Sequence, residues 1–133
     1  MALNPKFSDT SANAAANAIA ALANGGDLKI YDGTQPTNAN TAIGAQVLLA
    51  TLTFNATAFG GAVAGVCAAN AIVSGTAVAT STATWFRVLK SDHATVVFDG
   101  SVGTASANIN LNAVAIVTGA TVAVSALTLT ATE

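Results

Sequence analysis

Thr82-Ala83-Thr84-Trp85-Phe86-Arg87-Val88-Leu89-Lys90 is the stretch whose reading decides the fold. Trp85, Arg87 and Leu89 alternate with Phe86 and Val88, the period-two pattern of a β-strand. Aromatic and β-branched residues suit such a pleated surface. Ser91-Asp92-His93-Ala94 then has turn chemistry, and residues 95–98 return as the hairpin partner. Trp85 is expected to be buried beside Leu89. Arg87 shares its face, so burial along the strand is expected to be incomplete. The guanidinium must reach water at a sheet edge or meet a carboxylate such as Asp32 or Asp99.

Working outward, most of the chain repeats this kind of signal. Residues 28–31 alternate and leave into an Asp32-Gly33 turn, and residues 34–45 form a Thr-, Asn-, Pro- and Gly-rich loop. In residues 47–54, Leu48, Ala50, Leu52 and Phe54 alternate with Val47, Leu49, Thr51 and Thr53, predicting a strand with one buried face. Further strands are predicted over 65–73, 108–111, 113–117 and 121–130. Asp99-Gly100 is read as a turn, echoing Asp32-Gly33. One helix is predicted, over residues 9–24. Asp9, Thr10 and Ser11 are all suitable N-caps, the body is Ala-rich, and Asn24-Gly25-Gly26 stops it. Ala15, Ile19 and Leu22 share a stripe, with Asn13 and Asn17 opposite. Many short strands, frequent turns and no second helix predict a mainly β fold: a jelly-roll-like β-sandwich. It is read as one domain over 1–133, with an N-terminal arm and helix in 1–26 and the sandwich in 27–133.

Charge is scarce. Lys and Arg number four and Asp and Glu six among 133 residues, and residues 33–86 and 100–132 carry none. A free soluble domain covers about 25–35% of its surface with charged residues. This chain has 8% overall, so either Thr, Asn, Ser and backbone wet its surface or much of that surface does not face water; the second reading points to an assembled structural protein. A net charge of -2 without a basic cluster argues against nucleic acid as a partner. Mean hydropathy is +0.61, yet Thr, Asn, Gly and Ser interrupt every apolar stretch before the ~18 residues a membrane helix needs. Met1-Ala2-Leu3-Asn4-Pro5-Lys6 is not the start of an export signal, so synthesis in a cytoplasm is expected.

Candidate chemistry is sparse too. Acid–base catalysis needs titratable groups, which argues against an enzyme. His93, the only histidine, is read as a solvated turn residue, because no nucleophile elbow accompanies it. Asp9, Asp27, Asp32, Asp92 and Asp99 fall in predicted turns or helix starts, where structural Asp is expected; Glu133 is the other carboxylate. The two Asp-Gly pairs supply too few oxygens for calcium. Cys67, flanked by small apolar residues, is read as a buried hydrophobe. Without an export signal the Asn55-Ala56-Thr57 sequon carries no meaning. Trp85 and Tyr31 could stack on a sugar, but strand alternation favours packing. No residue is therefore assigned a catalytic, cofactor-binding or metal-binding role, and no cofactor is expected.

Several stretches resemble small virion proteins of tailed bacteriophages and prophages. They are Leu28-Lys29-Ile30-Tyr31-Asp32-Gly33-Thr34-Gln35-Pro36, Leu49-Ala50-Thr51-Leu52-Thr53-Phe54 and Ala83-Thr84-Trp85-Phe86-Arg87 with the Asp92 turn. Asp99-Gly100-Ser101-Val102-Gly103 and Leu127-Thr128-Leu129 complete them. An Ala-rich helix before the Tyr-Asp-Gly turn belongs to the same likeness, which covers nearly the whole chain. The charge-poor, Thr- and Ala-rich composition is similar to that of capsid decoration or cement proteins, many of them trimeric β-sandwiches. The resemblance implies a virion protein that self-associates as a homotrimer and cements the major capsid protein. A tail or fibre component is the structural alternative, and a receptor- or glycan-binding module the alternative of another class.

Overall fold

The predicted central hairpin is present at the middle of the sheet. In the computed structural model, which describes residues 6–131, strand β6 (Trp85–Leu89) pairs antiparallel with β1 (Asp27–Tyr31) on one side and β7 (Val96–Gly103) on the other. β1 pairs in turn with β2 (Leu48–Thr53). Beyond β7 lie β8 (Ile109–Leu111), in parallel pairing, then β11 (Val124–Thr130) and β3 (Val66–Ala68). The result is a mixed seven-stranded sheet of order β2-β1-β6-β7-β8-β11-β3. Two two-stranded ribbons complete the pairing: β4 (Gly75–Thr76) with β10 (Thr121–Val122), and β5 (Ser81–Thr82) with β9 (Ala115–Ile116). The chain is mainly β, with one helix.

Backbone hydrogen bonds carry the sheet round into a circuit. Residues 73–78 run beside β2, through a Thr53–Val73 bridge and a bond from Val78 N–H to the Leu49 carbonyl of 2.8 Å. That segment contains β4, which pairs with β10. β10 continues into β11, and Asn112 N–H to the Ala123 carbonyl (3.0 Å) extends the β8–β11 ladder across the join. The circuit encloses a single buried cluster that includes Leu28, Ile30, Leu52, Phe86, Val88, Ile109 and Val122.

Several local expectations need correction. Asp99-Gly100 is not a turn: both residues lie inside β7. Gly100 faces Phe86 across the ladder, and a Cβ there would meet the Phe86 ring at 2.5 Å. Glycine is required by packing, not by a change of direction. The alternation predicted for 47–54 is broken by a bulge opposite Ile30/Tyr31, so Leu49 joins Ala50 and Leu52 in the core. The strand predicted over 65–73 shortens to β3, that over 113–117 to β9, and that over 121–130 divides at Ala123.

The helix α1 (Asp9–Leu22) is capped by Ser8, whose hydroxyl accepts from Ser11 N–H, so Asp9, Thr10 and Ser11 lie within the first turn. Its buried stripe is Ala12, Ala16 and Ala20, not the predicted Ala15, Ile19 and Leu22; Leu22 is 45% exposed. Small side chains let the helix approach the β3 end closely. At Gly65, in left-handed backbone at φ 78°, a Cβ would sit 2.6 Å from the Ala131 carbonyl and 3.2 Å from the Ala12 methyl. Asn13 and Asn17 flank the stripe and accept from Gly65 N–H (2.8 Å) and Ala62 N–H (2.9 Å). The polar flank thus pins the loop before β3.

Candidate interaction surface

The polar side chains gather on one part of the sheet. Of the charged residues described, all but Lys6 and Asp9 lie on β1, β6, β7 or the turns adjoining them. At the centre, Arg87 donates from Nε and a terminal nitrogen to the two carboxylate oxygens of Asp99, at 2.7 and 2.8 Å. Both side chains are buried, 5% and 4% exposed. Asp99 is thus the partner expected for Arg87, but no part of the strand reaches water: all five residues of β6 are buried. A fork-to-fork pair needs little further solvation, which is what lets the charge stay inside. Hydrogen bonding to the Asp99 carboxylate raises the Arg87 pKa against the opposing effect of burial.

Trp85 is fully buried. Tyr31 stacks on it with centroids 4.7 Å apart and planes 16° apart, and the Arg87 guanidinium lies 5.4 Å from its centroid. The indole N–H donates to the Asp32 carbonyl at 2.9 Å. Burial raises the Tyr31 phenol pKa, with Arg87 opposing and Asp99 adding. Trp85 therefore offers no open face to a sugar.

The turn carboxylates are structural. Asp32 accepts from Val47 N–H at 2.6 Å, and this bond, then the Ser81 hydroxyl, lowers its pKa. Asp92 accepts from the Thr95 hydroxyl and from Thr95 and Ala94 N–H, which hold its pKa at about 2. Cys67 is buried, and burial raises its thiol pKa; it also lies 3.8 Å from the Asn17 side-chain oxygen.

His93 has a partner that sequence reading misses. Its exposed ring sits on a residue with φ 62°, and Nδ1 is 2.6 Å from the Asp27 carboxylate, itself 9% exposed. Such a pair could orient an imidazole for proton transfer, but among the described residues no Ser, Thr or Cys side chain hydrogen-bonds to the ring, as a nucleophile would. Nor do three His, Cys, Asp or Glu side chains gather there as metal ligands. No described helix is long and apolar enough to cross a membrane. Glu133 lies outside the described residues.

The rest of the described surface is uncharged apart from Lys6 and Asp9, and it carries the exposed valines. Val73, Val78 and Val117 are 63%, 64% and 58% exposed. Val73 and Val78 lie at the two ends of the segment that runs beside β2, and the Gly119 N–H bond to the Ala77 carbonyl holds the turn after Val117 against that segment. Val47, 45% exposed, immediately precedes β2. Val63 and Val66 are exposed next to the Asn13 and Asn17 flank of α1, and Phe7, 57% exposed, just precedes the helix. Comparison with protein-family models, with curated proteins and with solved structures finds no match for this chain.

Proposed function

We propose that the chain is a non-enzymatic structural protein of a tailed-phage virion, assembled in the host cytoplasm, that cements the capsid shell as a homotrimer bridging major capsid proteins. The observation that carries this reading is the segregation of charge: β1, β6, β7 and their adjoining turns hold every described charge but Lys6 and Asp9, while the rest of the described surface exposes Val63, Val73, Val78 and Val117. Exposed apolar side chains among uncharged polar residues suit a surface covered by protein. The finer fold reading belongs here as well. The strand circuit around one core is read as a jelly-roll-like sandwich, the architecture expected of a shell-decorating domain.

The test is to locate the chain in intact particles purified from the producing host, by labelling and electron cryomicroscopy. Density at capsomer boundaries, retained through a moderate-salt wash, is the expected result, because apolar contacts are little screened. Label confined to tails reassigns the chain to a tail or fibre role. Particles lacking the chain refute the virion reading altogether.

A further inference from the structure

The helix is tied to the sheet far more lightly than the strands are tied to one another. Among the described residues, the N–H hydrogen bonds that join Asp9–Leu22 to the rest of the chain end on two side chains. Asn13 accepts from Gly65 N–H at 2.8 Å, and Asn17 accepts from Ala62 N–H at 2.9 Å. The buried face is made of the methyl groups of Ala12, Ala16 and Ala20. Clefts of 380 and 190 Å³ run along the two flanks, one between Ile19, Leu22 and the side chains of Phe98 and Leu129, the other between Asn17, Ala20 and Phe59. A close-packed element leaves few such gaps beside it. We infer that α1 is a hinged cover, which swings off β3 and β11 as a unit while the rest of the sheet stays folded.

The anchorage is one-sided, and that gives the motion its pivot. Just past the helix, Gly25 N–H bonds to the Asn55 carbonyl at 2.9 Å, Asn24 accepts from Ala58 N–H at 2.8 Å, and Phe54 N–H bonds to the Gly26 carbonyl at 2.9 Å. A Cβ at Gly26 would collide with the Leu89 carbonyl, so the chain is seated directly on the sheet there. At the other end of the helix Lys6, Phe7 and Ser8 are exposed. Swinging about Ala23 breaks the two asparagine bonds and no strand ladder, because β11 keeps β3 and β8 as its partners. Burial stabilises in proportion to apolar area, and a methyl group offers the least of it. The sheet, by contrast, buries Trp85, Phe86, Leu28 and Ile30 completely. Elements tied this lightly open well below the free energy of global unfolding. In the open state the Cys67 thiol meets solvent. In the closed state it is fully buried on β3, its sulfur 3.8 Å from the Asn17 side-chain oxygen.

Cys67 is the only cysteine, so its modification by an aromatic disulfide reagent reads the opening, and hydrogen exchange of the α1 amides reads it independently. In the full-length protein both should give the same open population. It should exceed the globally unfolded population, found by urea titration of Trp85 emission, at least roughly a hundredfold. Asn17→Cys sets a second sulfur beside Cys67. Oxidised, this variant should close an intrachain disulfide and slow α1 exchange at least roughly tenfold, and reduction should restore the fast exchange. Equal opening constants for the α1 and β6 amides would make helix and sheet one cooperative unit and overturn the inference. A Cys67 that reacts while the α1 amides stay protected would also overturn it, since the motion would then belong to β3. So would α1 exchange that the disulfide leaves unchanged, because that is fraying within the helix.

Discussion

Replacing Trp85 by alanine should remove the largest fully buried side chain in the protein. Trp→Ala in a core costs about 3–5 kcal/mol. Three features place Trp85 at the upper end of that range. Tyr31 loses its stacking partner, Arg87 loses the ring beneath it, and the Asp32 carbonyl loses its indole donor. An aromatic pair contributes ~0.5–1.5 kcal/mol and an abandoned buried acceptor costs ~1–3 kcal/mol. A loss of about 5 kcal/mol takes a third or more of the ~5–15 kcal/mol that a domain has in total. At roughly 3–5 °C per kcal/mol for this size, the midpoint should fall by about 15–25 °C. Circular dichroism melts measure it, and Trp85→Phe, which keeps most of the packing, should fall much less. Trp85 is the only tryptophan, so parent emission should be blue-shifted and protected from soluble quenchers. A red-shifted, quenchable spectrum, or a Trp85→Ala loss below ~2 kcal/mol, would refute the packing argument.

Asp99→Asn should cost about 3–5 kcal/mol in urea unfolding, because Arg87 is left buried without its counter-charge, and the double change Arg87→Met with Asp99→Leu should recover most of it. Gly100→Ala should cost ~1–3 kcal/mol by forcing Phe86 out of place; a neutral Gly100→Ala would show that the Phe86 ring does not hold this position. The Asp92 pKa is depressed to about 2, so its stabilisation is full above the unfolded carboxylate value and fades as pH falls through that lower one. The stability gap between parent and Asp92→Asn should therefore be open at pH 6 and close toward pH 2, and a gap independent of pH would contradict the turn bonding.

The hairpin around β6 is legible because its alternation and the Asp92 turn are both local. The Asp99-Gly100 error has the opposite cause. A glycine that ends a strand and a glycine that makes room for a facing ring look alike in sequence, and only the register that sets Gly100 against Phe86 separates them. Alanine hides the helix face in the same way. It promotes helix formation and also permits close approach, so Ala12, Ala16 and Ala20 read as propensity while Ile19 and Leu22 draw the eye. β4 and β5 are two residues long and leave no period to detect.

The candidate surface depends on topology more than on any motif. Charge gaps are features of the linear chain, and folding could have spread the flanking charges over every side. They gather because β1, β6 and β7 are neighbours in the sheet although β2 through β5 intervene between β1 and β6 in sequence. Adjacency lets Arg87 reach Asp99 and lets Asp27 reach His93, 66 residues away. Arg87 and Asp99 therefore satisfy each other, Asp27 meets His93, and Asp32 and Asp92 hold turn amides. With so few charges in all and a net charge of -2, long-range electrostatic steering is weak. In the assembly proposed above, recognition of a partner would then fall to shape and apolar contact, and the exposed valines, more than Asp27 or His93, are the residues on which binding should depend.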